Sequence, residues 1–227
     1  MRLLALDAAA GRCSVALLEG GVIRERGVES GKAHAEDLLA LSGALLAEAG
    51  MTLRDLDGIA SSIGPGAFTG VRVTVSVAQG LAFGAGLKVV TVNTLEALAL
   101  QALPAHEPVF ACLDARMGEV YFGCFARDER EGLRALGEPK VAPPAEIVLP
   151  EGVFAGIGQG LSAYPKLIET LRLIVAEGAT AALPGAREIA TLGALRLAAG
   201  RGMDPKALEP LYLRDKVAYT SAERAGR

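Results

Sequence analysis

Residues 3–17 read LLALDAAAGRCSVAL, and residues 110–124 read FACLDARMGEVYFGC. Each passes from an apolar stretch into Asp-Ala-x-x-Gly, Asp7 to Gly11 and Asp114 to Gly118, and out into a second apolar stretch. An Asp favours turns by accepting backbone N–H bonds two residues on, and a Gly four positions later is free to take positive φ. Each segment therefore predicts a β-hairpin. A second echo follows in the same order: Ile63-Gly64-Pro65-Gly66 after the apolar run 58–62, and Ile157-Gly158-Gln159-Gly160 after Val153–Gly156. Two echoes in register predict an α/β chain built by duplication.

Working outward, the first half reads as strands at 2–7, 12–19 and 21–29, a helix at 34–49, a strand at 56–63, a helix at 70–84, a strand at 88–92 and a helix at 94–102. Pro104 and Pro108 place the lobe boundary near Leu103, giving lobes at 1–103 and 104–227. The second half predicts its hairpin, a strand near 133–136, a Pro-rich turn at Pro139, Pro143 and Pro144, a strand near 153–157, and helices near 162–170 and 186–200. The last helix is expected to pack back on the first lobe. One segment stays ambiguous on pattern. Val71, Val73, Val75 and Val77 alternate like a strand, whereas Thr69 can cap a helix and helical spacing gathers Ser76, Gly80 and Gly84 on one ridge. The helix at His34 carries two stripes, Leu38, Leu41, Leu45 and Leu39, Leu46, more apolar surface than one sheet needs, and this predicts a second neighbour.

With 227 residues, 51% of them hydrophobic, the chain can bury a sizeable core. Uncharged stretches such as Val73–Leu87 fall short of the ~20 residues that cross a bilayer, and the start lacks the apolar run of a secretory signal, so no membrane contact and a cytoplasmic location are expected. A net charge of −3 has the wrong sign for a protein that binds nucleic acid alone, so any RNA contact is expected to depend on a partner. Cys13, Cys112 and Cys124 show no paired spacing and read as core filler; with His34 and His106 the only histidines, no metal signature exists and no metal is predicted.

The residues leave three chemistries open. The Asp hairpins are similar to those with which the actin and sugar-kinase superfamily holds nucleotide phosphates, but Ala8, Ala9 and Ala10 remove the hydroxyls that cradle phosphate there. Asp7 reads first as a turn-capping carboxylate. The 61–70 stretch, SSIGPGAFTG, can present amides to an anion, yet lacks the Lys-Ser or Lys-Thr ending of a P-loop and fails GxGxxG at Thr69. Asp7, Gly64, Gly66 and Asp114 thus mark a vestigial nucleotide or anion site. Residues 60–64 resemble a nucleophile elbow, but only His34 or His106 could serve Ser61 or Ser62 as base.

The opening Leu-Ala-Leu-Asp, His34-Ala35-Glu36 before a Leu-rich helix, Gly64–Arg72, Leu113–Tyr121 and Pro210-Leu211-Tyr212-Leu213-Arg214 together resemble the TsaB (YeaZ) family over nearly the whole chain. That family usually has Asp-Thr-Ser where this chain has Asp7-Ala8-Ala9. The resemblance implies a duplicated actin-like ATPase fold, two lobes each of βββαβα type with the second degenerate, and it resolves residues 70–84 as helix. It further implies a non-catalytic scaffold with no catalytic residues and no cofactor of its own, ATP or ADP with Mg entering only in the assembled complex. Implied partners are TsaD, the TsaE ATPase, and a second copy of the chain when TsaD is absent, for threonylcarbamoyl transfer to the tRNA adenosine beside the anticodon. The interface implied comprises His34, Leu38, Leu39, Ser42 and Leu46 from one helix and Arg72, Val73, Ser76, Val77, Gly80 and Gly84 from the other. The alternatives are an active sugar-kinase-like phosphotransferase and a glycoprotease-like peptidase.

Overall fold

The computed structural model describes residues 1–29, 34–103 and 106–214. The basic positions Lys216, Arg224 and Arg227 lie outside them. The chain forms two five-stranded sheets. β1 (Arg2–Asp7), β2 (Arg12–Glu19) and β3 (Val22–Glu29) make an antiparallel meander, and β4 (Gly58–Ser62) and β5 (Lys88–Val92) add on the far side of β1 in parallel, giving the order β3-β2-β1-β4-β5. In the second sheet β6 (Val109–Arg116), β7 (Glu119–Asp128) and β8 (Gly132–Ala135) form the meander and β10 (Ala155–Ile157) runs parallel to β6. β9 (Lys140–Ala142), which the sequence pattern does not mark, pairs with β7.

Helices cover the first sheet on both faces. α1 (His34–Glu48) and α2 (Phe68–Ala85) lie over Leu4, Leu6, Val15 and Leu17; α6 (Ala186–Ala198) lies over Leu3, Ala5, Ala16 and Val90, and α3 (Thr94–Ala102) packs between α6 and the second sheet. Leu3 to Leu6 are all fully buried, the continuous apolar run expected of a strand covered twice. α3 and α6 share their core with Val109, Ala111, Leu113 and Phe125, so the two sheets grip one apolar layer. The outer face of the second sheet packs Phe110, Cys112, Phe122 and Phe154 against α4 (Gln159–Ala163) and α5 (Lys166–Thr170).

The valine-rich segment is helix, as the family resemblance implied. Three expectations need correction, and the first is the cap of that helix, which is Ala67 and not Thr69. Gly70, Val71, Thr74, Val75, Ala78 and Ala82 fall on one buried stripe, so tertiary packing outweighs β-propensity. The helix read at 162–170 is two short helices, because Tyr164 leaves helical geometry before Pro165. The second half is also not a βββαβα repeat: β9 and a 3-10 turn at Pro144–Glu146 stand between β8 and β10 where the first half has α1.

Candidate functional site: the interlobe cleft and the outer helix face

The two hairpin turns face one another across a cleft of about 400 Å³, lined among others by Ala9, Ala10, Gly66, Asp114, Arg116 and Tyr212. The first turn is packed from behind. Asp7 accepts from the Ala9 amide at 3.2 Å, and Ala9 in turn accepts from the Ala67 amide at 2.7 Å, pulling the 64–67 loop onto the turn. A Cβ at Gly66 or Gly70 would collide with the Ala9 or Ala8 carbonyl, which is why both positions need glycine. Gly64 holds the loop's other side by accepting from the Thr94 amide at 2.9 Å.

The second turn is held differently. Asp114 accepts from the Arg116 amide at 2.8 Å and ion-pairs with the Arg116 side chain at 3.2 Å. Arg116, Met117 and Gly118 follow one another at φ 61°, 59° and 81°, a left-handed run of which two members carry side chains. Across the mouth lies the segment 211–214. Leu211 donates to the Ile63 carbonyl at 2.7 Å, and Arg214 donates to the Ala115 carbonyl at 3.1 Å and pairs with Glu119.

Of the expected nucleotide or anion residues, the cleft gathers Gly66 and Asp114 on opposite walls, while Asp7 and Gly64 stand behind the first wall. Asp7 is 1% exposed, and burial pushes its carboxyl up to about 6, against the opposing pull of the Ser62 hydroxyl and the Ala9 amide. The Ser62 influence is one of proximity, since Asp7 Oδ2 and Ser62 Oγ are each buried without a hydrogen-bond partner. A magnesium-phosphate group needs carboxylates and hydroxyls turned toward it. Here the first turn offers three alanines, Asp7 is sealed below them and Asp114 is engaged by Arg116, so the residues do not fit that group. Among the described residues no three His, Cys, Asp or Glu side chains are placed to hold a metal ion.

The peptidase arrangement is likewise not assembled. His34 Nδ1 lies 3.3 Å from Cys13 Sγ, Ser61 donates to the Ser62 carbonyl, both serines are fully buried, and His106 is exposed beyond the end of α3. A serine nucleophile requires a hydrogen-bonded base, and neither serine has one. Cys112 and Cys124 are pushed up to about 12 and about 11 by burial, which keeps both thiols protonated.

The outer face of α1 and α2 sorts the expected interface residues. Leu38, Ser42 and Leu46 are buried within the chain, with Ser42 donating to the Leu38 carbonyl, so they support the helix pair and do not face outward. Leu39, Arg72, Ser76, Gly80 and Gly84 are exposed, and His34, Val73 and Val77 are half-buried. A Cβ added at Gly80 or Gly84 would meet nothing. Phe83, which the pattern did not single out, is 66% exposed beside them. Phe68, Tyr212 and Arg214 at the cleft carry no role in the sequence analysis; their signals are the Gly64–Arg72 and Pro210–Arg214 motifs, quoted only for the family resemblance.

The family described as "TsaD: tRNA N6-adenosine threonylcarbamoyltransferase" matches residues 19–222. The chain is 34% identical to the tRNA threonylcarbamoyladenosine biosynthesis protein TsaB of Escherichia coli over 96% of its own length and 97% of that protein. It is likewise 34% identical to the TsaB of Haemophilus influenzae, covering 96% of each. The solved structure of YeaZ from Pseudomonas aeruginosa, 36% identical, superposes with a TM-score of 0.85 over 93% of this chain and 99% of that one. The two-sheet α/β architecture and the near full-length match agree: this chain belongs to the TsaB (YeaZ) family.

Proposed function

We propose that the chain is a non-catalytic subunit in tRNA threonylcarbamoyladenosine biosynthesis that docks a TsaD-type partner on the outer face of α1 and α2. The observation that carries this reading is that face itself: Leu39 and Phe83 stand out at 49% and 66% exposure, around a ridge at Ser76, Gly80 and Gly84 where a second backbone can come close. The match to a TsaD family description supports a partner of similar fold. The absence of hydroxyls from the first turn supports a role without phosphate chemistry, within a duplicated actin-like ATPase frame whose lobes meet near Leu103.

On this reading ATP or ADP with Mg enters only in the assembled complex, TsaE joins there, tRNA is met through the partners, and the same face pairs two copies of the chain when the partner is absent. The work is cytoplasmic; no described helix is long and apolar enough to cross a membrane. A specific, stable contact should bury at least ~1,200 Å² in total. The test is co-purification with a TsaD-family protein. Gly80→Arg should abolish it while leaving the melting curve intact, because the position is open. Undiminished binding by both Gly80→Arg and Val77→Arg would reject the assignment.

A further inference from the structure

From its fixings, we infer that residues 205–214 form a strap coupling α2 to the second turn across the cleft, with Gln79 and Tyr212 as its positioning residues. The strap runs along the flank of α2 and then bridges the cleft mouth. At its start, the Gln79 amide donates to the carbonyls of Pro205 at 3.1 Å and Leu208 at 2.9 Å; two carbonyl acceptors require the NH2 of the amide to face them. Lys206 lies 5.6 Å over the Phe83 ring, and the Leu208 side chain is buried under α1 and α2. About two helical turns back from Gln79, the Arg72 guanidinium sits 3.7 Å over the Phe68 ring and donates to the Tyr212 hydroxyl at 2.7 Å, with the two rings 6.2 Å apart. The far end is Arg214, which holds the Ala115 and Arg116 carbonyls and pairs with Glu119.

These contacts form one continuous series from the helix face to a turn that sits in left-handed geometry. Arg72 belongs to both the helix face and the strap. It is exposed on the face assigned to docking, and it is bonded to the strap. A partner that takes up Arg72 withdraws it from Tyr212 and loosens the strap, and a strap held tight keeps Arg72 folded against Phe68. Contact at the helix face is thereby reported at residues 115–118 on the other lobe.

The coupling within the free chain does not depend on the docking reading; the response to a partner does. Hydrogen exchange on the intact free chain tests the first. Tyr212→Phe removes one hydroxyl from an exposed ring, and Gln79→Ala removes both donors to the strap. Tyr212→Phe should speed exchange of the 115–118 amides about fivefold, the change expected when one ordinary hydrogen bond is lost, and Gln79→Ala, which loses two, by at least as much, with β5 and α3 unchanged. Arg214→Lys, which keeps the charge but not the two-carbonyl grip, should do the same. Unchanged exchange at 115–118 in all three variants, with melting intact, overturns the strap. With a TsaD-family protein added, exchange at 115–118 should change in the parent chain and not in Tyr212→Phe; docking without that change also overturns the coupling. Failure of the parent chain to dock rejects the docking reading instead, and the free-chain result still decides the strap.

Discussion

The two hairpin turns begin from the same pattern and end in different states. Asp7 and Asp114 each accept the amide two residues on, as a turn-forming Asp should. Yet the first turn is clamped from behind by the Gly64–Gly70 loop until its Asp is sealed, whereas the second stands half-open and is held from in front by Arg214. The difference shows that an Asp-Ala-x-x-Gly signature fixes a hairpin but not what the Asp can do. That is set by which segment, distant in sequence, arrives to cover it.

The clamp is the place to break the contrast most strongly. Gly70→Val drives a side chain into the Ala8 carbonyl and should cost about 3 kcal/mol or more, read as a lowered urea midpoint. An equivalent change on the second turn, Gly118→Ala, meets open space and costs only its left-handed φ, about 1–2 kcal/mol.

Next in size is a pH effect confined to the first turn. The folded chain holds the Asp7 proton more tightly than the unfolded chain, where the carboxyl titrates at 3.8. The stabilisation this provides is complete below about pH 4 and is lost as pH rises through about 6, by roughly 3 kcal/mol in full. Asp7→Asn should remove that part of the slope and make the chain more stable than its parent at pH 8. A variant with an unchanged pH profile would show that Asp7 is not sealed. Glu188, pushed up to about 7 first by burial and then by Glu25 and Asp7, slopes the same way, and Glu188→Gln should flatten what remains.

The smallest effect sharpens the second turn. Met117→Gly relieves a left-handed residue with a side chain and should gain up to about 1 kcal/mol, measured as a rise in melting temperature; no gain would mean that the Arg214 contact to Met117 sulfur offsets the relief.

Most strands and helices of the first half were legible because each is a run of one period bounded by Asp, Gly or Pro. The α2 segment was not, since alternating valines are chosen here for packing against β4 and β1 in a helix that the Gly70 contact with Ala8 fixes in place. The interface residues were half legible. Spacing cannot tell which members of the two Leu stripes are covered: Leu38 and Leu45 of one and Leu46 of the other are buried, and Leu39 is left exposed. The partnership of His34 with Cys13, and of Arg72 with Tyr212, joins residues 21 and 140 positions apart, and no local pattern encodes either.

The position of α6 has a bearing on how the polypeptide is made. One whole face of the first sheet, with Leu3, Ala5, Ala60 and Val90, is closed by a helix beginning at Ala186. At roughly 5–20 residues per second on the ribosome, that greasy surface stays bare for several seconds after its own strands have emerged. A fragment stopped before Ala186 should therefore precipitate when expressed by itself.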